Sequence, residues 1–320
     1  MSARRILLTG ATGFIGSATL RTLLDGPLAC AAHSGSTTLT MLTRNPPAGA
    51  DPRVDWIRAD LTDPRSLHGV CEGVDTVVHL ASYVGGDAHT CEAVNNHGTR
   101  ALIAEAARAG TDHFLYLSTT AVYGAGPHRG LTEDEITPAP VSPTSRTRLA
   151  AEAAVRAAGG TVLRAPLVYG IGDVWVVPVI TELLRRVPAW VDGGRALLSL
   201  VAVDDLARLL ATLALTAVDA ALPTGVYHAA HPDPVPFSEL LTLLARHTGL
   251  PLPADDLTYD EYVTRLHQVP GRATERQLSL IAQDHWYASA HVWQQAFCPP
   301  GPGPATRIPE SAAWYRCRLD

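Results

Sequence analysis

The chain of 320 residues contains no lysine; all 25 of its lysine-plus-arginine positions are arginine. That absence removes Schiff-base chemistry, a lysine acid or base, and an ammonium that tunes a neighbouring phenol. Acidic residues outnumber basic ones and leave a net charge of -6. This argues against nucleic acid, whose binders neutralise phosphates with Lys and Arg, and favours a small-molecule partner. Cysteine is scarce: Cys30, Cys71, Cys91, Cys298 and Cys317 are odd in number and never fall at CxxC spacing. Neither a disulfide framework nor a metal cluster is expected, and the compartment reads as reducing. Long apolar runs are also missing. Arg4 and Arg5 precede Ile6, Leu7 and Leu8, but Thr9 and Gly10 end the run far short of a signal peptide. No run approaches the ~18 apolar residues of a membrane helix. The expectation is a soluble, cytoplasmic protein with no membrane partner.

What the sequence does hold is an alternation of short apolar runs with amphipathic stretches, the rhythm of a parallel sheet covered on both faces. Strands are predicted over Arg5 to Thr9, Leu39 to Thr43, Val54 to Arg58, Thr76 to Ala81, Phe114 to Ser118 and Thr161 to Arg164. Helices are predicted over Ile15 to Leu24, Pro64 to Val70, Glu92 to Ala109 and Pro143 to Ala158. The stretch from Asp25 to Thr38 exceeds the usual ~2–6-residue link and reads as a surface insertion. After Pro166 the pattern changes. Strand and helix return at Leu197 to Leu215, helices follow from Phe237 to Ala296, and the proline-rich tract Cys298 to Pro304 reads as an irregular loop. The expected fold class is α/β: a Rossmann-type doubly wound parallel sheet with a smaller, mainly helical C-terminal lobe. Residues 1–166 with about 196–230 form the nucleotide domain, and 167–195 with 231–320 the substrate lobe.

The segment ILLTGATGFIG places Gly10, Gly13 and Gly16 after the first strand and at the opening of a helix. Glycines there let the backbone turn tightly and approach a pyrophosphate, while helix N-terminal N–H groups face its charge. At the end of the second strand, TMLTRNP puts Thr43 and Arg44 where an NAD-preferring chain carries an acid for the ribose hydroxyl. A guanidinium there holds a 2′-phosphate instead, so NADP(H), used as NADPH, is the expected cofactor.

These residues resemble the extended short-chain dehydrogenases/reductases, whose fingerprint is TGxxGxxG. The resemblance runs through RADLTD, VVHLAS, VNNHGT, LSTTAVYG, LRAPLVYG and the closing RIPESAAWY. It implies cofactor contacts from Gly10, Thr12, Gly13, Phe14, Ile15 and Gly16, and from Asp60 and Leu61 at the adenine. It implies further contacts from the run His79 to Ala81 beside the nicotinamide ribose, Leu80 and Ala81 among them, and from Ser82, Pro166, Leu167 and Val168.

The same resemblance exposes a loss. The family carries a Tyr and, four residues on, a Lys in a pattern like PxxPYxxSKxxxE; here PVSPTSRTRLAAE aligns Thr144 with the Tyr and Arg148 with the Lys. Ser142 as N-cap and Pro143 as first helical residue keep the helix start. A threonine hydroxyl cannot be tuned to deliver a proton near neutrality, and an arginine does not exchange its proton. Arg148 either contacts cofactor ribose or pairs with Glu152, four residues along. Thr119 matches the family hydroxyl that binds the substrate carbonyl, Tyr123 and Tyr169 read as packed, and Tyr83 is the best substitute acid.

Nucleotide-sugar enzymes of the family carry Arg-Asp in a segment like RDFIHV. Here Leu198 and Ser199 stand in those places, which weakens that substrate class. Trp175, Trp190, Tyr259, Tyr262, Trp286 and Tyr287 offer apolar stacking surface for a flat ligand. The pattern resembles atypical extended reductases that tailor aromatic polyketide antibiotics. The substrate set is Tyr83, Thr119, Trp175, Trp190, Tyr262 and Trp286, the catalytic set Thr119, Thr144, Arg148 and Tyr83. Two readings stand: an NADPH-dependent reductase of an aromatic ketone whose own acidic hydroxyl shares the proton work, or an NADP(H)-binding regulator without chemistry. A nucleotide-sugar epimerase or reductase is the third.

Overall fold

The computed structural model describes residues 4–25, 37–49, 51–216 and 224–319. Most of the expected insertion between Asp25 and Thr38 lies outside them.

Seven strands form the main sheet, numbered here in chain order: β1 (Arg4–Thr9), β2 (Thr37–Thr43), β3 (Val54–Arg58), β4 (Thr76–His79), β5 (His113–Thr119), β6 (Thr161–Ala165) and β7 (Gly225–His228). Their spatial order is β7-β6-β5-β4-β1-β2-β3, every pair parallel. The chain therefore starts in the middle of the sheet and reverses direction between β1 and β4, the doubly wound order with its switch point there. Side chains alternate across both buried faces. Ile6 and Leu8 join the core that includes Met41, Leu115 and Leu206 to Ala214, whereas Leu7 joins Val77, Tyr116, Leu102 and Val155 on the other side. A third core gathers Ile180, Leu183, Leu240, Leu244, Leu278, Ile308 and Tyr315 from the C-terminal part of the chain.

The helices that frame the site follow local signals. α1 (Phe14–Asp25) opens straight after the glycine-rich turn. Glu92–Gly98 winds as a π-helix before α2 (Thr99–Ala109), which ends on Gly110 in the left-handed region. α3 (Pro143–Ala157) begins with the expected Ser142 N-cap and Pro143, and Ser145 completes a reciprocal capping box.

Three expectations are corrected. Pro64 to Val70 is only a 3-10 turn, Pro64–Leu67, because His68 leaves helical geometry and Gly69 follows at φ +85°. The strand expected to reach Ala81 ends at His79, where the Ala81 N–H turns to the Thr9 side chain instead of a neighbouring strand. The run from Phe237 to Ala296 holds four helices but also two short strands, Asp255–Leu257 and His285–Tyr287, which pair with Ala189–Val191 and with His128–Leu131. Among the described residues no helix is long and apolar enough to cross a membrane.

Candidate active site

A cleft of about 390 Å³ lies across the C-terminal ends of β1 to β4, at the switch point of the sheet. Its walls come from four successive strand ends: Gly10, Thr12 and Gly13 after β1; Leu42, Thr43 and Arg44 at β2; Ala59 to Leu61 after β3; Leu80 to Tyr83 after β4. Thr90 and Val94 close it from the helical segment beyond.

The glycines are required by space. Gly10 has φ +74°, and a Cβ on it would come within 2.7 Å of the Ala81 nitrogen. A Cβ on Gly16 would meet the Gly10 carbonyl oxygen at 2.0 Å. The Gly13 N–H donates to that same carbonyl at 2.9 Å. Phe14, Ile15 and Gly16 thus form the first turn of α1 tight against the loop, leaving a backbone cradle with room for a pyrophosphate. Asp60 is held below the usual carboxylate range, first by the Thr62 backbone N–H, then by the Thr62 hydroxyl, with Arg44 adding attraction. Arg44 is exposed on the rim and forms no ion pair among the described residues.

The far wall rests on one hydrogen-bonded chain. The Ala81 N–H donates to Thr9 Oγ1 (3.2 Å), whose hydroxyl meets His79 Nδ1 at 2.7 Å. His79 Nε2 lies 2.9 Å from Thr99 Oγ1, and that hydroxyl donates to the Asn95 carbonyl at 2.6 Å. Since Thr9 Oγ1 accepts from Ala81 and Thr99 donates to Asn95, His79 carries its proton on Nε2. Burial drives its pKa down to about 3, so the ring is neutral. Asn95 then clamps the next residues: its Oδ1 accepts from the Tyr83 N–H (2.7 Å) and the Ser82 hydroxyl, and its Nδ2 donates to the Tyr83 carbonyl (2.9 Å) and to Thr147 Oγ1 (3.2 Å). The cleft wall is thereby tied to α3.

α3 carries the two replaced residues, and neither lines the cleft as described. Thr144 Oγ1 donates to the Gly85 carbonyl at 3.2 Å. Arg148 donates through Nη2 to the Leu117 carbonyl of β5 and leaves its Nε buried without a partner. The alternative in which Arg148 pairs with Glu152 is corrected. Glu152 is taken by Arg164 of β6 through three N–H contacts and accepts from Ser118, both charged side chains being at most 5% exposed. Helical spacing put Arg148 on the right face, but Arg164 reaches the carboxylate squarely from the sheet. Thr119 ends β5 and accepts the Ala121 N–H at 3.2 Å, capping the turn to Tyr123. Tyr123 is buried, with its hydroxyl against His228 and Arg164, and burial raises its pKa to about 12.

The remaining expected residues are scattered. Pro166 links β6 to the short strand Leu167–Tyr169, which pairs with Leu200–Ala202. Trp175 is 53% exposed beside a loop whose Gly172 rests on Phe14. Trp190 packs against Gly194, and Trp286 covers Gly130. Tyr262, expected to face substrate, fills the third core instead and donates to the Leu183 and Val187 carbonyls at 3.0 Å each. Those carbonyls, at the end of the helix Val177–Arg186, also accept the Val187 and Ala189 N–H groups, and the phenol adds a second hydrogen bond to each. Leu42, Ala59, Thr90 and Val94 line the cleft without having been expected; the spacing of Thr90 and Val94, four apart in one helical run, was the available signal. Among the described residues no cluster of His, Cys, Asp or Glu is arranged to hold a metal.

The switch-point cleft, the glycine cradle and the strand-end walls define a dinucleotide-binding oxidoreductase fold. Residues 6–230 match the model of the NAD dependent epimerase/dehydratase family, and the chain belongs to that family of extended short-chain dehydrogenases/reductases. It is 30% identical to a 2-alkyl-3-oxoalkanoate reductase of Stenotrophomonas maltophilia over 261 residues, 77% of this chain and 76% of the relative. It is 36% identical to a dTDP-glucose 4,6-dehydratase of Streptomyces griseus over 154 residues, 44% of each chain. The fold superimposes on a dTDP-glucose 4,6-dehydratase of Streptomyces venezuelae solved with NAD, with a TM-score of 0.74, 22% identity, and coverage of 98% of this chain and 97% of that one.

Proposed function

We propose that the protein is an NADPH-dependent ketoreductase acting on a polycyclic aromatic polyketide ketone of the angucycline type, with the substrate's own acidic hydroxyl sharing the proton work. The observation that carries this reading is the fate of α3: Thr144 spends its hydroxyl on a backbone carbonyl, and Arg148 faces the Leu117 carbonyl. No phenol backed by an ammonium stands at the family position, and the chain has no lysine to rebuild one. A carbonyl conjugated to, or hydrogen-bonded with, a phenolic hydroxyl spreads the developing charge and needs no strong protein acid.

When bound, the reduced nicotinamide supplies the hydride. Gly10, Gly13 and the start of α1 hold the pyrophosphate, Asp60 and Leu61 the adenine, and Leu80 to Ser82 the nicotinamide ribose, with Arg148 and residues 166–168 beside it. Arg44 holds a 2′-phosphate: it is exposed on the cleft rim, unpaired among the described residues, and a guanidinium binds phosphate by charge-assisted hydrogen bonds. Thr119 and Tyr83 orient the carbonyl oxygen. The third core, with residues 167–195 and 231–320, is the substrate lobe, and Trp175, Trp190 and Trp286 offer it stacking surface. The reading also rests on the resemblance to atypical extended reductases of antibiotic biosynthesis, the simocyclinone 7-ketoreductase among them. The name of the Stenotrophomonas relative, a reductase, favours the same reaction class.

A nucleotide-sugar substrate is the second reading, favoured by the 36% identity to the Streptomyces dehydratase. Leu198 and Ser199 stand against it; Ser199 is buried, its hydroxyl occupied by the Tyr287 N–H at 3.0 Å. The test follows the loss of reduced-nicotinamide absorbance with hydroxylated anthraquinone and angucycline ketones. Turnover supports the proposal. Tight NADPH binding without turnover of any of them replaces it with the regulator, and saturable binding of a nucleotide diphosphate sugar replaces it with the second reading.

A further inference from the structure

Three side chains converge on a single residue beside the cleft. Gly85 lies two residues beyond Tyr83, and a Cβ built on it would fall 2.1 Å from the Tyr83 hydroxyl oxygen and 2.2 Å from its Cζ. The phenol therefore lies directly on the bare α-carbon of Gly85. From the other side, the Gly85 carbonyl accepts from Thr144 Oγ1 at 3.2 Å and from Cys91 Sγ at 3.3 Å, and those two side chains touch each other at 3.5 Å. Tyr83's own backbone is clamped by Asn95 at both N–H and carbonyl. Both ends of the arrangement are thus fixed: the backbone of the phenol by Asn95, the surface under its hydroxyl by Thr144 and Cys91.

Gly85 is not among the glycines held in the left-handed region that favours glycine. Its smallness is not demanded by the turn. The three atoms nearest to such a Cβ all belong to the Tyr83 phenol, so what the missing Cβ provides is a seat for that ring.

We propose that Gly85, pinned by Thr144 and Cys91, is a positioning residue that seats the Tyr83 phenol at the cleft mouth. The helix position that carries the acid in the family here holds the backbone on which a relocated phenol rests. The functional consequence rests on the ketoreductase reading, in which Tyr83 donates a hydrogen bond to the substrate oxygen; the seat itself does not.

The test separates the two. In protein labelled with 13C at tyrosine Cζ, the Tyr83 resonance is assigned by its loss in Tyr83→Phe. Gly85→Ala and Thr144→Val are both expected to move that resonance, with NADPH binding changed less than about threefold as evidence that the fold and cleft persist. An unmoved Tyr83 signal in either variant overturns the proposal. Turnover of a hydroxyanthraquinone ketone gives the second arm. Gly85→Ala is expected to lower kcat about tenfold, roughly the value of one hydrogen bond, and to add nothing further in the Tyr83→Phe background. Equal losses in both backgrounds overturn the role of the seat. If the wild-type protein turns over no ketone while the resonances move as expected, the ketoreductase reading fails and the seat stands.

Discussion

Glu152 of α3 and Arg164 of β6 form a buried ion pair that locks the helix bearing Thr144 and Arg148 to the sheet. Arg164 also donates to the Tyr123 hydroxyl at 2.7 Å, and Glu152 accepts from Ser118, so the pair holds the turn after β5 as well. Arg148 is thereby left to the Leu117 carbonyl.

Glu152→Ala is expected to destabilise the protein by about 3–5 kcal/mol, because it strands the Arg164 charge in the interior. Denaturant unfolding measures it. A loss under about 1 kcal/mol would mean that Arg164 finds solvent.

Arg44→Ala should weaken NADPH binding roughly 10–100-fold, the worth of hydrogen bonds to a charged group, while leaving NADH binding nearly unchanged. Fluorescence titration with both nucleotides checks it. Equal losses for the two would remove Arg44 from the 2′-phosphate.

Gly16→Ala drives a methyl into the Gly10 carbonyl oxygen, where the atoms would stand 2.0 Å apart. Overpacking of this kind costs about 1–3 kcal/mol and spreads the pyrophosphate cradle. The expected outcome is a lower melting temperature together with lost NADPH affinity, read by thermal shift with and without nucleotide.

Four histidines are depressed by burial: His79, His128, His228 and His285. Each gives up its proton more readily in the folded protein than in the unfolded chain, where it titrates at about 6.5, so the unfolded chain binds more protons below that pH. The stability they contribute is present above about pH 6.5 and is lost as the pH falls below it. For His79, whose folded pKa is about 3, the loss continues toward that value. Melting temperature should therefore fall steadily from pH 7 to pH 5, and His79→Asn should flatten the slope. An unchanged slope would place the proton uptake elsewhere.

The nucleotide half was legible because its signals are local. Apolar runs of β-branched and aliphatic residues announced six of the seven sheet strands to within a few residues, the edge strand Gly225–His228 being the one not expected, and Gly10, Gly13 and Gly16 have steric reasons that operate inside one turn. Ser142 and Pro143 announced α3 for the same reason. Side-chain partners were less legible, because they depend on which residue arrives from another element. Arg148 and Glu152 share a helix face, yet Arg164, 12 positions further on in the next strand, takes the carboxylate. Tyr262 reads as a ligand-facing aromatic, but its hydroxyl is held in a core by the Leu183 and Val187 carbonyls, which arrive from a helix remote in sequence. The partnership of Thr144 with Gly85 spans 59 positions and has no sequence signature.

Reduction without a protein acid at the start of α3 is decided by the rate of NADPH oxidation with a hydroxyl-bearing angucycline ketone in wild-type protein and in Thr144→Ala. Turnover is expected in both, with kcat lowered by less than about tenfold, since Thr144 holds a backbone carbonyl and gives up no proton. A collapse of the ~10²–10⁴-fold that follows loss of a general acid would contradict it.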